Sequence, residues 1–121
     1  MSQPDATDAY ADVRRQMARA ARSKKLRTHD WTRDIPTEWN PTSVANPETG
    51  LPFTEVSAWN FVAVLLEGGY PIEEVLLRKP PGIVGYVMCV PLEPGKSDLY
   101  IKLHPHKGGM VYGRSFHYSI R

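Results

Sequence analysis

Hydrophobic side chains fall in blocks along this chain, and their spacing changes from helical to alternating. Near the start, Tyr10, Val13, Met17, Ala20 and Ala21 recur at intervals that place them on one stripe of a helix running to about Lys25. Thr7 or Asp8 is placed to cap that helix, and residues 1–7 are expected to be disordered. The stripe is rich in alanine, so the helix needs a surface to dock on. Residues 28–52 carry Pro36, Pro41, Pro47, Gly50 and Pro52 and read as irregular. Trp31 and Trp39 lie in this stretch. A tryptophan in a proline-rich loop is expected to pin the loop to the core, with stacking on a nucleobase as the second reading.

The segment FTEVSAWNFVAVLLEGG, residues 53–69, is the strongest helix signal. Thr54 or Ser57 serves as its N-cap, and Gly68-Gly69 end it. Val56, Trp59, Phe61, Val62, Val64, Leu65 and Leu66 make it apolar around much of its girth, as in a helix lying against a sheet. PIEEVLLRK follows as a short helical or extended segment, and Pro80-Pro81-Gly82 forces a turn. Three strands are then expected, over about 84–92, 99–104 and 110–119. In the first, Val84, Tyr86, Met88 and Val90 share one face, and Gly85, Val87 and Cys89 share the other. Short loops between alternating segments predict an antiparallel meander. The fold class is α+β, with N-terminal helices packed on a C-terminal three-stranded antiparallel sheet. Two parts are expected: residues 1–27 as a basic N-terminal helix or arm, and residues 28–121 as a single α+β domain.

A length of 121 residues, with 41% hydrophobic and 10% aromatic content, suits one modest core. No apolar run approaches the roughly 20 residues that span a bilayer. MSQPDATDAY lacks the basic and apolar regions of a secretory signal. The single cysteine, Cys89, lies in the apolar run GYVMCVPL and can form no internal disulfide. A cytoplasmic protein with a buried thiol is the expectation, without membrane association.

Charge changes this picture. The net charge is +2, yet the signs are segregated. Arg14 to Arg27 holds seven basic residues and no acid, and Asp34 to Glu74 holds seven acids and no base. From Arg78 onwards, Arg78, Lys79, Lys96, Lys102, Lys107, Arg114 and Arg121 stand against Glu93 and Asp98. The basic parts call for an anionic partner, nucleic acid being the commonest. Arg14, Arg15, Arg19 and Arg22 on the first helix, with Lys79, Tyr100 and Lys107 further on, are the candidate RNA-binding residues. The alternative is that these charges coat solvated faces.

The candidate chemistry lies in DLYIKLHPHKGGMVYGRSFHYSIR. Leu99, Ile101 and Leu103 alternate with Tyr100, Lys102 and His104, so the second group shares the face away from the core. On the last strand, Ser115 and His117 fall on one face, and Arg114, Phe116 and Tyr118 on the other. Gly113 is a candidate bulge that re-aims the residues after it. Whether Arg114 or His117 joins Lys102 stays open from sequence. A cation beside imidazole and phenol suits metal-free RNA cleavage. A base takes the 2′-hydroxyl proton, Lys or Arg stabilises the charge growing on phosphorus, and an acid protonates the leaving 5′-oxygen. Lys102, His104, Arg114 and His117 are the candidate catalytic residues, with no cofactor and no metal ion. Taken singly, each has an ordinary explanation. His104 and His106 flank Pro105 beside a turn and read as solvent-exposed, His117 sits between aromatics, and Lys102 is a common outward strand residue. There is no phosphate-loop or dinucleotide-binding motif, and no nucleophile elbow.

LYIKL, a turn and then GRSFHYS resemble the C-terminal hairpin of small bacterial toxins of the MqsR type, within the RelE-like group of mRNA interferases. The resemblance covers roughly the last 45 residues. Lys102 matches the strand lysine, Ser115-Phe116 match the closing pair, and Tyr86 falls at a strand-tyrosine position, which the resemblance adds to the candidate catalytic residues. The resemblance implies a helical layer on an antiparallel sheet whose open face cleaves mRNA. It also implies a cognate antitoxin covering that face and the ribosome as a further partner. The long basic N-terminal helix and the Trp- and Pro-rich loop depart from that family's pattern. Two other readings stand beside the endoribonuclease toxin. One is a non-catalytic module binding nucleic acid or an acidic protein through helix 14–27 and the sheet. The other is an assembly subunit whose N-terminal helix docks on copies of itself.

Overall fold

A computed structural model describes residues 9–119. The capping role given to Thr7 or Asp8, the disorder expected of residues 1–7 and the charge of Arg121 lie outside the described residues. Two helices, α1 (Ala11–Ala21) and α2 (Glu55–Glu67), cover one face of a six-stranded mixed sheet. The strands are β1 (Arg27–Thr28), β2 (Glu38–Trp39), β3 (Glu73–Leu76), β4 (Val84–Val90), β5 (Leu99–His106) and β6 (Met110–Tyr118).

The three expected strands are β4, β5 and β6, in an antiparallel meander. The sheet is nevertheless not three-stranded. PIEEVLLRK forms β3, which pairs antiparallel with β4. The proline-rich stretch contributes β1 and β2, which pair parallel with β6 at Val111–Tyr112 and at Ser115–Phe116. Two-residue strands have no periodicity to read, so sequence patterning cannot reveal them. Their effect is to cover the outer edge of β6. β3 remains an edge strand, guarded by the exposed carboxylates of Glu73 and Glu74.

α1 ends at Ala21, short of Lys25, because the chain turns at Ser23–Leu26 to enter the sheet, where Val111 N–H donates to the Leu26 carbonyl. Met17, Ala20 and Ala21 are fully buried, so the alanine-rich stripe has found its docking surface. α1 therefore belongs to the common core, and the division expected at residue 27 falls inside β1. α2 starts at Thr54, whose side chain accepts from Ser57 N–H while Ser57 Oγ accepts from Thr54 N–H, a reciprocal capping box. It buries Trp59, Val62 and Leu66 against the sheet. Cys89 alternates onto the other face of β4, away from the helices, and is exposed, not buried.

Trp39 holds the helical layer to the sheet. Its ring stacks on Trp59 at 4.6 Å between centroids and lies 5.2 Å from Phe116. It also lies flat over Gly113, where a Cβ would sit 2.7 Å from the indole carbons. No side chain fits at Gly113 unless a ring clamped on two sides moves. Gly113→Ala is therefore expected to lower stability by about 1–3 kcal/mol through overpacking. Urea unfolding followed by tryptophan fluorescence checks this, and an unchanged midpoint would contradict the packing described.

Candidate functional site

The open face of the sheet is built around one irregularity. Lys102 pairs with Ser115 and Leu103 pairs with Gly113, so Arg114 is an extra residue in β6. A bulge of this kind turns its residue without partner onto a neighbour's face. Before it, Tyr112 faces outward opposite His104; after it, Ser115 and His117 face outward opposite Lys102 and Tyr100. Phe116 stays in the core. Arg114 emerges on the outer side, where Nη1 meets His104 Nδ1 at 3.2 Å. The bulge therefore brings both Arg114 and His117 to the face of Lys102, so the two are not alternatives.

Loops wall this face. Arg114 is only 6% exposed. Its Nε donates to the Pro36 carbonyl at 3.0 Å, and Nη2 donates to the Lys79 carbonyl at 2.5 Å. One side chain thus ties the β1–β2 loop and the β3–β4 turn to the sheet. The resulting cleft has a volume of about 500 Å³, with Tyr100, Lys102, Arg114 and Ser115 as its floor. Trp31, Pro36, Thr37 and Glu38 line one wall, and Val75 to Lys79 the other. The ionisable lining consists of Arg78, Lys79, Lys102 and Arg114 against Glu38, with Tyr100 beside them.

The electrostatics favour an anion. Arg114's three acceptors are neutral, so its charge is solvated by dipoles and not cancelled by a carboxylate. Burial lowers its pKa, yet a guanidinium stays charged near neutral pH. Lys102 is also lowered, by burial first and then by the Arg114 charge, with Glu38 opposing. Tyr100 is raised, chiefly by burial and also by Cys89, Glu73 and Glu38, and keeps its phenolic proton. The Lys102 ammonium stands 6.0 Å from the Tyr100 ring centre, and that ring stacks on His117 at 5.5 Å.

The histidines divide by environment. His117 is half-buried and donates from Nδ1 to the Tyr118 carbonyl at 2.8 Å, since a carbonyl can only accept. Its Nε2 lies 3.7 Å from Glu38 Oε1. This is the geometry of a base oriented by its own backbone, with a carboxylate near the proton it would take up. His104 was expected at the surface but is 2% exposed. It stacks on Tyr112 at 5.2 Å, with His106 edge-on. Because arginine only donates, His104 Nδ1 accepts and the imidazole is neutral. Burial above all, then the charges of Arg114 and His106, lower its pKa to about 4. His104 positions Arg114; it is too buried to meet a substrate.

His104 and His117 share the outer sheet face but are not among the residues that line the cleft, and other sequence candidates lie further away. Tyr86 pairs with Leu103 and faces the helices, with its ring against Tyr10 at 5.6 Å. The strand alternation that exposes Lys102 turns Tyr86 away from it. Lys107 sits at the tip of the β5–β6 hairpin. Arg14, Arg15, Arg19 and Arg22 lie on the helical layer beside a separate groove of about 690 Å³. Part of that charge is used internally. Arg22 forms a two-pronged pair with Glu67 at 2.7 and 2.8 Å, Arg15 pairs with Asp12, and Arg14 donates to the Tyr70 carbonyl. Of the RNA-binding candidates, Lys79 and Tyr100 do line the cleft. Sequence reasoning missed Glu38, which reaches the cleft only through the parallel pairing of β2 with β6, and it named Trp31 for stacking only as a second reading, without the loop that sets it at the cleft.

Among the described residues, no group of three or more His, Cys, Asp or Glu side chains is placed to hold a metal ion, and no helix is long and apolar enough to cross a membrane. No protein-family model, curated protein or solved structure matches the chain.

His104 makes the fold acid-sensitive. Its unfolded imidazole takes up a proton near pH 6.5, whereas the folded one resists until about pH 4. Its contribution is therefore complete above pH 6.5 and is lost as the pH falls to about 4, by up to about 3 kcal/mol. Urea midpoints measured across that range are expected to fall in the wild type and to fall less steeply in His104→Gln. Equal slopes would contradict a buried neutral His104.

Proposed function

We propose that the open face of the sheet is the active face of a metal-free endoribonuclease, with the cleft holding an RNA phosphodiester. One observation carries this reading: the bulge at Arg114 gathers Lys102, Arg114 and His117 on one face, where Lys102 and Arg114 floor a cleft whose cations outnumber its one carboxylate and His117 stands beside that floor, opposite Tyr100. In this mechanism His117 Nε2 accepts the 2′-hydroxyl proton, with the Glu38 carboxylate 3.7 Å away. The 2′-oxygen attacks the adjacent phosphorus, and the P–O5′ bond breaks. Lys102 meets the phosphoryl oxygens directly. Arg114, locked by its carbonyls, supplies a fixed positive field. The protonated Tyr100 hydroxyl donates to the departing 5′-oxygen. The products are a 2′,3′-cyclic phosphate and a 5′-hydroxyl.

This arrangement is compatible with the MqsR-type resemblance of LYIKL and GRSFHYS. The physiological setting we infer is a cytoplasmic toxin whose antitoxin blocks the cleft and whose substrate is mRNA, free or on the ribosome. A second reading, a non-catalytic module gripping nucleic acid or an acidic protein, is favoured by the arginine-lined groove of α1. In the assembly-subunit reading α1 would dock on another copy, but its apolar stripe is already buried within the chain.

The test uses a long RNA in EDTA and, separately, a translating ribosome preparation in its magnesium buffer. The wild type is expected to produce discrete fragments ending in cyclic phosphate. Lys102→Ala and His117→Ala are each expected to slow cleavage about 10²–10⁴-fold. His104→Gln is expected to retain more activity than either. Intact RNA in both preparations would overturn the endoribonuclease reading in favour of the binding module.

A further inference from the structure

Trp39 and Trp59 are buried, but Trp31 is 65% exposed at the lip of the cleft. An exposed indole on a loose loop would need no explanation. This loop is held at three carbonyls by side chains from elsewhere in the fold. Tyr112 Oη donates to Asp30, Lys79 Nζ to Arg33 at 3.3 Å, and Arg114 Nε to Pro36 at 3.0 Å. Within the loop, Thr32 N–H donates to the Ile35 carbonyl, and Ile35 N–H donates to Thr32 Oγ1. The same arginine that charges the cleft floor thus also fixes the loop that presents Trp31. A rigid, solvent-facing indole beside a cationic cleft loses little conformational entropy when a flat ring stacks on it.

We propose that Trp31 is a stacking platform for an unpaired nucleobase, so that the cleft takes single-stranded and not duplex RNA. The proposal rests on reading the cleft as an RNA site. One feature favours a nucleotide over an acidic peptide, and another favours a single strand over a duplex. Every nucleotide joins a planar ring to an anion, matching Trp31 beside Lys102 and Arg114, whereas an acidic side chain uses the cations and leaves the indole without a partner ring. In a duplex the base faces are already stacked, which hides them from Trp31.

The experiment is equilibrium binding of full-length protein to a labelled 2′-O-methyl RNA of about eight nucleotides, which cannot be cleaved, followed by anisotropy of the RNA label for every variant, with tryptophan fluorescence recorded alongside for the wild type. The single strand is expected to quench the exposed indole saturably, and the same sequence as a duplex to bind at least tenfold more weakly. Trp31→Ala is expected to lose roughly five- to a hundredfold in affinity, and Trp31→Phe to keep most of it. Because the ring is exposed, the thermal midpoint of Trp31→Ala should match the wild type. Unchanged affinity in Trp31→Ala, or equal binding of single strand and duplex, overturns the proposal. If Lys102→Ala weakens binding in that case, the cleft reading survives without Trp31. Absence of oligonucleotide binding by the wild type removes both. Loss of binding in Trp31→Ala to a polyglutamate peptide, with RNA affinity unchanged, assigns the indole to an acidic protein and also overturns it.

Discussion

A guanidinium taken out of water must find acceptors, and the way Arg114 finds them shapes the rest of this protein's open face. Its charge is satisfied by two backbone carbonyls and one imidazole nitrogen. Each acceptor comes from a different segment: the β1–β2 loop, the β3–β4 turn and β5. Burying a charge without a carboxylate is costly, and removing any one acceptor would leave the charge under-solvated. The same bonds that meet this demand bring the loops together as walls. They also leave a net positive field where the walls meet, so the cleft and its charge have a common origin.

The two faces of the sheet are coupled through β6. On the inner side Gly113 admits Trp39, which stacks on Trp59 and ties α2 to the sheet. On the outer side the next residue, Arg114, bulges out. A larger residue at Gly113 would displace Trp39, and with it β2, which carries Glu38 to the cleft. The local irregularity therefore serves packing and electrostatics together. His104 completes the arrangement as a neutral acceptor under Arg114, a role that needs burial and would be lost on protonation.

Much of the scaffold is legible in the residue pattern. The 3.6-residue spacing of α2, the reciprocal cap at Thr54 and the alternation in β4 and β5 all appear where periodicity puts them. The bulge had a local sign in Gly113, but which residue it displaces depends on pairing with β5 and cannot be read from one strand. β1, β2 and the loop bearing Trp31 depend on long-range contacts with β6, the β3–β4 turn and Arg114, so no local pattern announces them. The expectation that both loop tryptophans pin the core holds for Trp39 and fails for Trp31, because the carbonyls around Trp31, not its ring, anchor that loop. His104 shows the same limit: its place beside a turn suggested exposure, while its register opposite Tyr112 buries it.

The central claim is that the bulged sheet face, and not the arginine-rich helix, meets the anionic partner. Backbone amide chemical shifts, followed while a non-cleavable single-stranded RNA is titrated into the labelled protein, test it most directly. The account predicts that the perturbed amides cluster at Tyr100, Lys102, Ser115 and His117 and along the loop from Asp30 to Glu38. Shifts confined to α1 around Arg15, Arg19 and Arg22, with the sheet face unmoved, would contradict it.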